Sequence, residues 1–220
     1  MRVTTPPAFN TTRLVLGLIA VNAAVHGLRL LLPANWSMEI LTVAGFSPPW
    51  FLAAASGMET VYLPFLLLSP ITYAFLHADI AHLLINMAFL LAFGTAIDQR
   101  IGGRRFLAFY LICTLCAAAA STVLFLFSRE LVLIVGASGA VSGLFGAVLR
   151  FRLRRRLVAI VVFIVINIIL GYTGFSSFGE VRAIAWDAHI GGFLGGYLLF
   201  PLFDRRPRSN WPPGNPGRGP

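Results

Sequence analysis

The sequence predicts an all-α protein that crosses a membrane several times. Of its 220 residues, 58% are hydrophobic and only 11% are charged, where a soluble domain carries about 25%. Mean hydropathy is +0.83. The apolar residues also gather into six runs near the roughly 20 residues that a helix needs to cross a hydrocarbon core about 30 Å thick. The expected architecture is therefore a polytopic bundle of six transmembrane helices.

The first run, Leu14 to Leu32, follows Arg2 and Arg13. Its length, and the lack of a small-x-small cleavage site after it, favour a retained helix over a signal peptide. Residues 1–13 then form a short tail. Residues 33–79 are expected to form an outer-face loop, partly membrane-embedded. Within it Phe51 to Leu76, "FLAAASGMETVYLPFLLLSPITYAFL", is apolar enough to cross, yet a crossing there would put successive arginine clusters on opposite sides. Pro64 and Pro70 break it into interfacial helices.

The second run, Ile80 to Ile97, is followed by Arg100, Arg104 and Arg105. The third, Phe106 to Phe127, holds both cysteines, Cys113 and Cys116, which read as small packing residues rather than a metal or redox pair. The fourth, Leu131 to Leu149, ends at Arg150, Arg152, Arg154, Arg155 and Arg156. The fifth is Leu157 to Phe175. The sixth, Ala183 to Phe203, precedes Arg205, Arg206, Arg208 and Arg218. Residues 204–220, rich in proline and glycine, are expected to be a disordered tail.

All 17 basic residues are arginine, and 14 of them fall on one side of this scheme, leaving Arg29, Arg129 and Arg182 for the other. The positive-inside rule then makes both termini cytoplasmic. The net charge of +9 sits in clusters beside apolar runs, where it sets topology and touches anionic lipid. No nucleic-acid partner is implied.

Polar groups inside such runs are costly and mark functional positions. His82 and Asn86 lie four residues apart, on one helix face. Ser138 lies in the fourth run and His189 in the sixth. At about 1.5 Å per residue, Ser138 stands roughly 18 Å above Arg150, Asn86 roughly 21 Å above Arg100, and His189 roughly 22 Å above Asp204. His82 comes one turn higher. Gly139 and Gly143 form a GxxxG pair beside Ser138, and Ala188, Gly192 and Gly196 form a small-residue row beside His189, so the two helices are expected to approach closely. Histidine at that distance can take the serine proton and return it to a leaving amine. His82 and Asn86 can supply donors to the resulting oxyanion.

At these residues the chain resembles the rhomboid family of intramembrane serine proteases. Three motifs carry the resemblance, in the family's order: "FLHADIAHLLINMAFLLAFG", "GASGAVSGLFG" and "AHIGGFLGG". Together they cover roughly Ile71 to Phe203. The resemblance implies a dyad of Ser138, the nucleophile, and His189, general base and then acid, with no third acid, no metal and no cofactor. It implies an oxyanion site made by the Ser138 N–H with the His82 and Asn86 side chains, and matches Gly136 to the glycine that shapes it. His77 matches an upstream histidine in HxxxxHxxxN spacing, for which a structural role is expected. Asp187, two residues from His189 on a helix, faces elsewhere.

Two positions depart from the family pattern. Trp36 and Trp50 are not followed by arginine, where many members carry Trp-Arg in the outer loop. Ser142 stands where several carry an aromatic residue that supports the imidazole. The implied activity is cleavage of membrane-protein segments near the outer face, at sites whose small or helix-destabilising residues ease unwinding. Tyr172 to Ala185 would cap the site. A six-helix core without an added soluble domain suggests a bacterial inner membrane. One rival is a non-proteolytic rhomboid-like protein that binds membrane segments; such relatives lack the serine or the histidine. A transporter with a polar pathway through His82, Asn86 and His189 is another, but no repeated halves are visible.

Overall fold

The computed structural model describes residues 12–152, 156–173 and 185–205. The chain is helical almost throughout. Thr12 caps α1 (Arg13–Leu30), its hydroxyl accepting from the Val15 N–H. Three short helices follow, α2 (Ala34–Ala44), α3 (Pro48–Ala55) and α4 (Leu63–Thr72), then a 3-10 turn at Tyr73–Phe75. Next come α5 (Ile80–Phe89), a π turn at Leu90–Gly94 and α6 (Thr95–Ile101), which together make one 22-residue rod. The remaining helices are α7 (Gly103–Ser128), α8 (Ser138–Arg152), α9 (Arg156–Thr173) and α10 (Trp186–Phe203).

Among the described residues, three helical stretches are long and apolar enough to cross a membrane by themselves: Arg13–Leu30, Ile80–Ile101 and Gly103–Ser128. Helix α8 has 15 residues, about 22 Å. Its composition is explained by its position, because Gly139 through Leu144, Gly146, Ala147 and Leu149 are all buried. It is packed against neighbouring helices, so small residues replace the bulky apolar ones a lipid-facing helix carries. Helix α9 is the opposite case, with Val158, Val161, Val162, Val165 and Ile166 all exposed.

Two sequence expectations need correction. The fourth apolar run does not begin a helix at Leu131; the helix starts at Ser138. Before it the chain is extended, and Ile134 pairs with Phe46 through reciprocal backbone hydrogen bonds of 2.8 and 2.9 Å. Val132 and Ile134 pack inward while Leu131 and Leu133 are exposed, the alternation of a strand. Gly136, at φ +113°, stops the helix from extending backwards. Nor do Pro64 and Pro70 break the outer segment: Pro64 sits in the first turn of α4, where its missing N–H costs nothing, and the same helix runs through Pro70 to Thr72. The tail from Pro207, and most of the Tyr172 to Ala185 cap, lie outside the described residues.

Helix α10 lies between α7 and α8. An added Cβ at Gly192 or Gly196 would run into the carbonyl oxygen of Gly139 or Gly143, so α8 and α10 meet main chain to main chain. The α8 glycines sit in the crease: a Cβ at Gly139 would be 2.6 Å from the Ala117 methyl of α7, and one at Gly143 would be 2.9 Å from the Gly192 carbonyl. Far from Ser138, the buried Arg100 of α6 bonds Asp204, just past α10, at 2.7 and 2.8 Å and lies 4.7 Å from the Phe151 ring centroid.

Candidate active site

Ser138 is the first residue of α8, and the N–H groups of Ser138, Gly139 and Ala140 precede the bond from the Val141 N–H to the Ala137 carbonyl at 2.9 Å. They and the helix dipole make this end favourable to negative charge. Across the close α8–α10 contact, His189 Nε2 lies 2.7 Å from Ser138 Oγ. Its other ring nitrogen, Nδ1, lies 2.8 Å from Oδ1 of Asn167 on α9. The Asn167 amide N–H donates to the Phe163 carbonyl at 2.9 Å, which identifies Oδ1 as the atom facing the ring. An amide oxygen only accepts, so Nδ1 carries the proton and Nε2 presents its lone pair to the serine hydroxyl. Three helices thus fix one tautomer and one ring orientation.

Asn167 was not among the residues singled out from the sequence. The signal was present, because it is the one polar side chain in "LVAIVVFIVINIILG", and polar groups in such runs are costly. Ser142 is buried and lines the same cavity, leaving the imidazole to be oriented by α9. The partner of His189 Nδ1 is Asn167, not Asp187.

His82 and Asn86 come from α5, which Asp79 starts by accepting the His82 N–H at 2.7 Å. The Asn86 amide donates one N–H to the His82 carbonyl at 2.9 Å, leaving a second for other use. Gly136 has a positive φ that strains any other residue, and a Cβ there would be 2.6 Å from His82 Nε2 and would push that ring aside. Both side chains, Ser138 and His189 line one cavity of about 1010 Å³, whose walls include Phe89, Phe93, Phe145 and Phe163. The cavity is therefore mostly apolar with a few converging polar groups, the form of a binding cleft.

The loop entering Ser138 is tied down at three residues. Ile134 pairs with Phe46, the Gly136 N–H donates to the Tyr73 carbonyl at 2.9 Å, and the Ala137 N–H donates to His77 Nε2 at 3.4 Å. His77 is fully buried and stacks edge-on against His82, ring centroids 5.2 Å apart. Burial, with His82, His26 and Arg29 nearby, pushes its pKa down to about 3, so Nε2 stays an acceptor. His77, Gly136, Gly139, Gly143, Gly192 and Gly196 thus frame the site rather than face the cavity. Among the described residues no group of three or more His, Cys, Asp or Glu is placed to hold a metal ion.

This is a helical, polytopic membrane protein in which a serine and a histidine from different helices share a hydrogen bond inside the bundle. The Rhomboid domain model matches residues 66–206, and the chain belongs to the rhomboid family. It is 36% identical over 139 residues to the Rhomboid protease GluP of Bacillus subtilis, covering 60% of this chain and 24% of that one. With RHOMBOID-like protein 7 of Arabidopsis thaliana it shares 32% identity over 148 residues, 64% of this chain and 44% of that one. With Rhomboid-like protease 3 of Toxoplasma gondii it shares 32% over 142 residues, 61% and 51%. The chain thus spans a quarter to a half of the length of these relatives.

Proposed function

We infer that the protein is an intramembrane serine endopeptidase that cleaves transmembrane segments near the outer face of the membrane. The observation that carries this reading is the 2.7 Å approach of His189 Nε2 to Ser138 Oγ, with the ring held from behind by Asn167. Ser138 Oγ attacks the scissile carbonyl as His189 Nε2 takes its proton. The carbonyl oxygen becomes an oxyanion held by the Ser138 N–H with His82 and Asn86. His189 returns the proton to the departing amine, the C–N bond breaks, and an acyl-enzyme ester remains on Ser138. Water, deprotonated by the same imidazole, then releases the second fragment.

The site's distance from the arginine-rich helix ends supports water entry from the opposite face, which the positive-inside rule makes the outer one. A substrate helix must unwind locally before its peptide bond is accessible, which favours sites containing glycine or other poor helix formers. The names of two relatives as proteases support the reading, as does the presence of both Ser138 and His189 in a chain that a binding-only relative would not need to keep.

The test uses the purified full chain, Ser138→Ala and His189→Ala, with a reporter transmembrane substrate in liposomes. Cleavage by the wild type alone is the expected result, with at least a 1,000-fold loss in either variant on the order of triad-member removals. Cleavage persisting in Ser138→Ala would overturn the mechanism. Retention of the reporter without cleavage by the wild type would identify a binding protein instead.

A further inference from the structure

Arg29 is the largest polar group near the site that the mechanism leaves without a task. It lies in the last turn of α1, where a cation complements the helix dipole, and its side chain is buried. A buried guanidinium is costly unless acceptors meet its end nitrogens. One end nitrogen, Nη2, donates to the His77 carbonyl at 2.6 Å and to the Ala78 carbonyl at 3.2 Å. The other, Nη1, donates to Ser37 Oγ of α2 at 2.9 Å. His26, one turn earlier on α1, lies alongside with Nδ1 at 3.5 Å from Nη2.

The two carbonyls belong to the segment that sets both halves of the oxyanion site. His77 holds the Ala137 N–H, directly before Ser138, and its ring packs on His82. Asp79, the next residue after Ala78, caps α5 at His82. We propose that Arg29 is a positioning residue for the oxyanion site: its guanidinium fixes the His77 and Ala78 carbonyls, and so sets His77 against the Ser138 loop and α5 at its start. Charge-assisted bonds are the short, strong ones, and the planar fork gives them direction that a lysine ammonium lacks. The low pKa of His77 fits this role, because a protonated ring would turn a donor toward the Ala137 N–H.

The inference rests on the protease reading, and its test separates the two. In the full chain in liposomes, kcat and KM for the reporter, fluorophosphonate labelling of Ser138 and the thermal midpoint are measured for wild type, Arg29→Gln, Arg29→Lys and Ser37→Ala. Arg29→Gln is expected to lower kcat and the labelling rate about 10- to 100-fold, less than the roughly 100- to 1,000-fold cost of removing an oxyanion donor outright, with KM within about twofold. Arg29→Lys should fall between it and wild type, at about three- to tenfold. Ser37→Ala cuts only the bond to α2 and should stay within about twofold. The inference is overturned by wild-type kcat in a folded Arg29→Gln or Arg29→Lys protein, by a change confined to KM, or by Ser37→Ala matching Arg29→Gln. If Arg29→Gln does not fold, the Arg29→Lys comparison decides. A wild-type protein that neither cleaves nor labels removes the protease reading itself, whatever the variants do.

Discussion

At the residue scale, Asn167 has the sharpest role. A neutral histidine has two tautomers, and only the one protonated at Nδ1 can accept from Ser138; the amide oxygen of Asn167, 2.8 Å away, selects it. Asn167→Ala should therefore lower kcat about 10- to 100-fold, the cost of losing an orienting partner, while the thermal midpoint moves little. Steady-state cleavage with a parallel melting curve checks this, and an unchanged kcat would remove Asn167 from the mechanism. The sequence made Ser138, His189, His82 and Asn86 visible as polar groups at similar depth on helices with identifiable contact faces. Asn167 carried the same polar signal, but no small-residue row marks which side of α9 meets α10. Arg29 was legible only as a charge at a helix end, since the two carbonyls it holds lie 48 and 49 residues away and carry no side-chain signature.

At the scale of elements, the glycine rows of α8 and α10 do two jobs that differ in their sensitivity to mutation. Gly192 faces the Gly139 carbonyl, a backbone atom that cannot rotate away. Gly192→Ala should cost about 1–3 kcal/mol through overpacking and should lower cleavage further than the stability loss explains, because it displaces His189 from Ser138. Gly27, on α1, has open space where its Cβ would lie, so Gly27→Ala should leave the thermal midpoint unchanged or raise it. Unfolding of the two variants in one detergent tests the contrast, and equal destabilisation would contradict it. The row Ala188, Gly192, Gly196 was legible because helical spacing fixes a face. The extended stretch before Ser138 was not, since Leu131 to Val135 is uniformly apolar and only burial reveals its period of two.

For the whole molecule, the site and the arginine-rich end are held by different chemistry. Arg100 and Asp204 close the far end of the bundle as a buried pair, their side chains 4% and 11% exposed. Removing one partner leaves the other charge buried, so Asp204→Ala should destabilise the fold by about 3–5 kcal/mol. It should leave kcat within about twofold at temperatures where the protein stays folded. Thermal inactivation measured beside initial rates checks both halves, and a large kcat loss in folded protein would show that the two ends are coupled. The main-chain contact of α8 with α10 has a mechanical consequence. Because carbonyls, not rotatable side chains, set that spacing, the two helices form a stiff pair that holds Ser138 and His189 at a fixed separation. The exposed α9 has no such ruler and reaches the imidazole through a single side chain, Asn167, whose Oδ1 lies 2.8 Å from Nδ1.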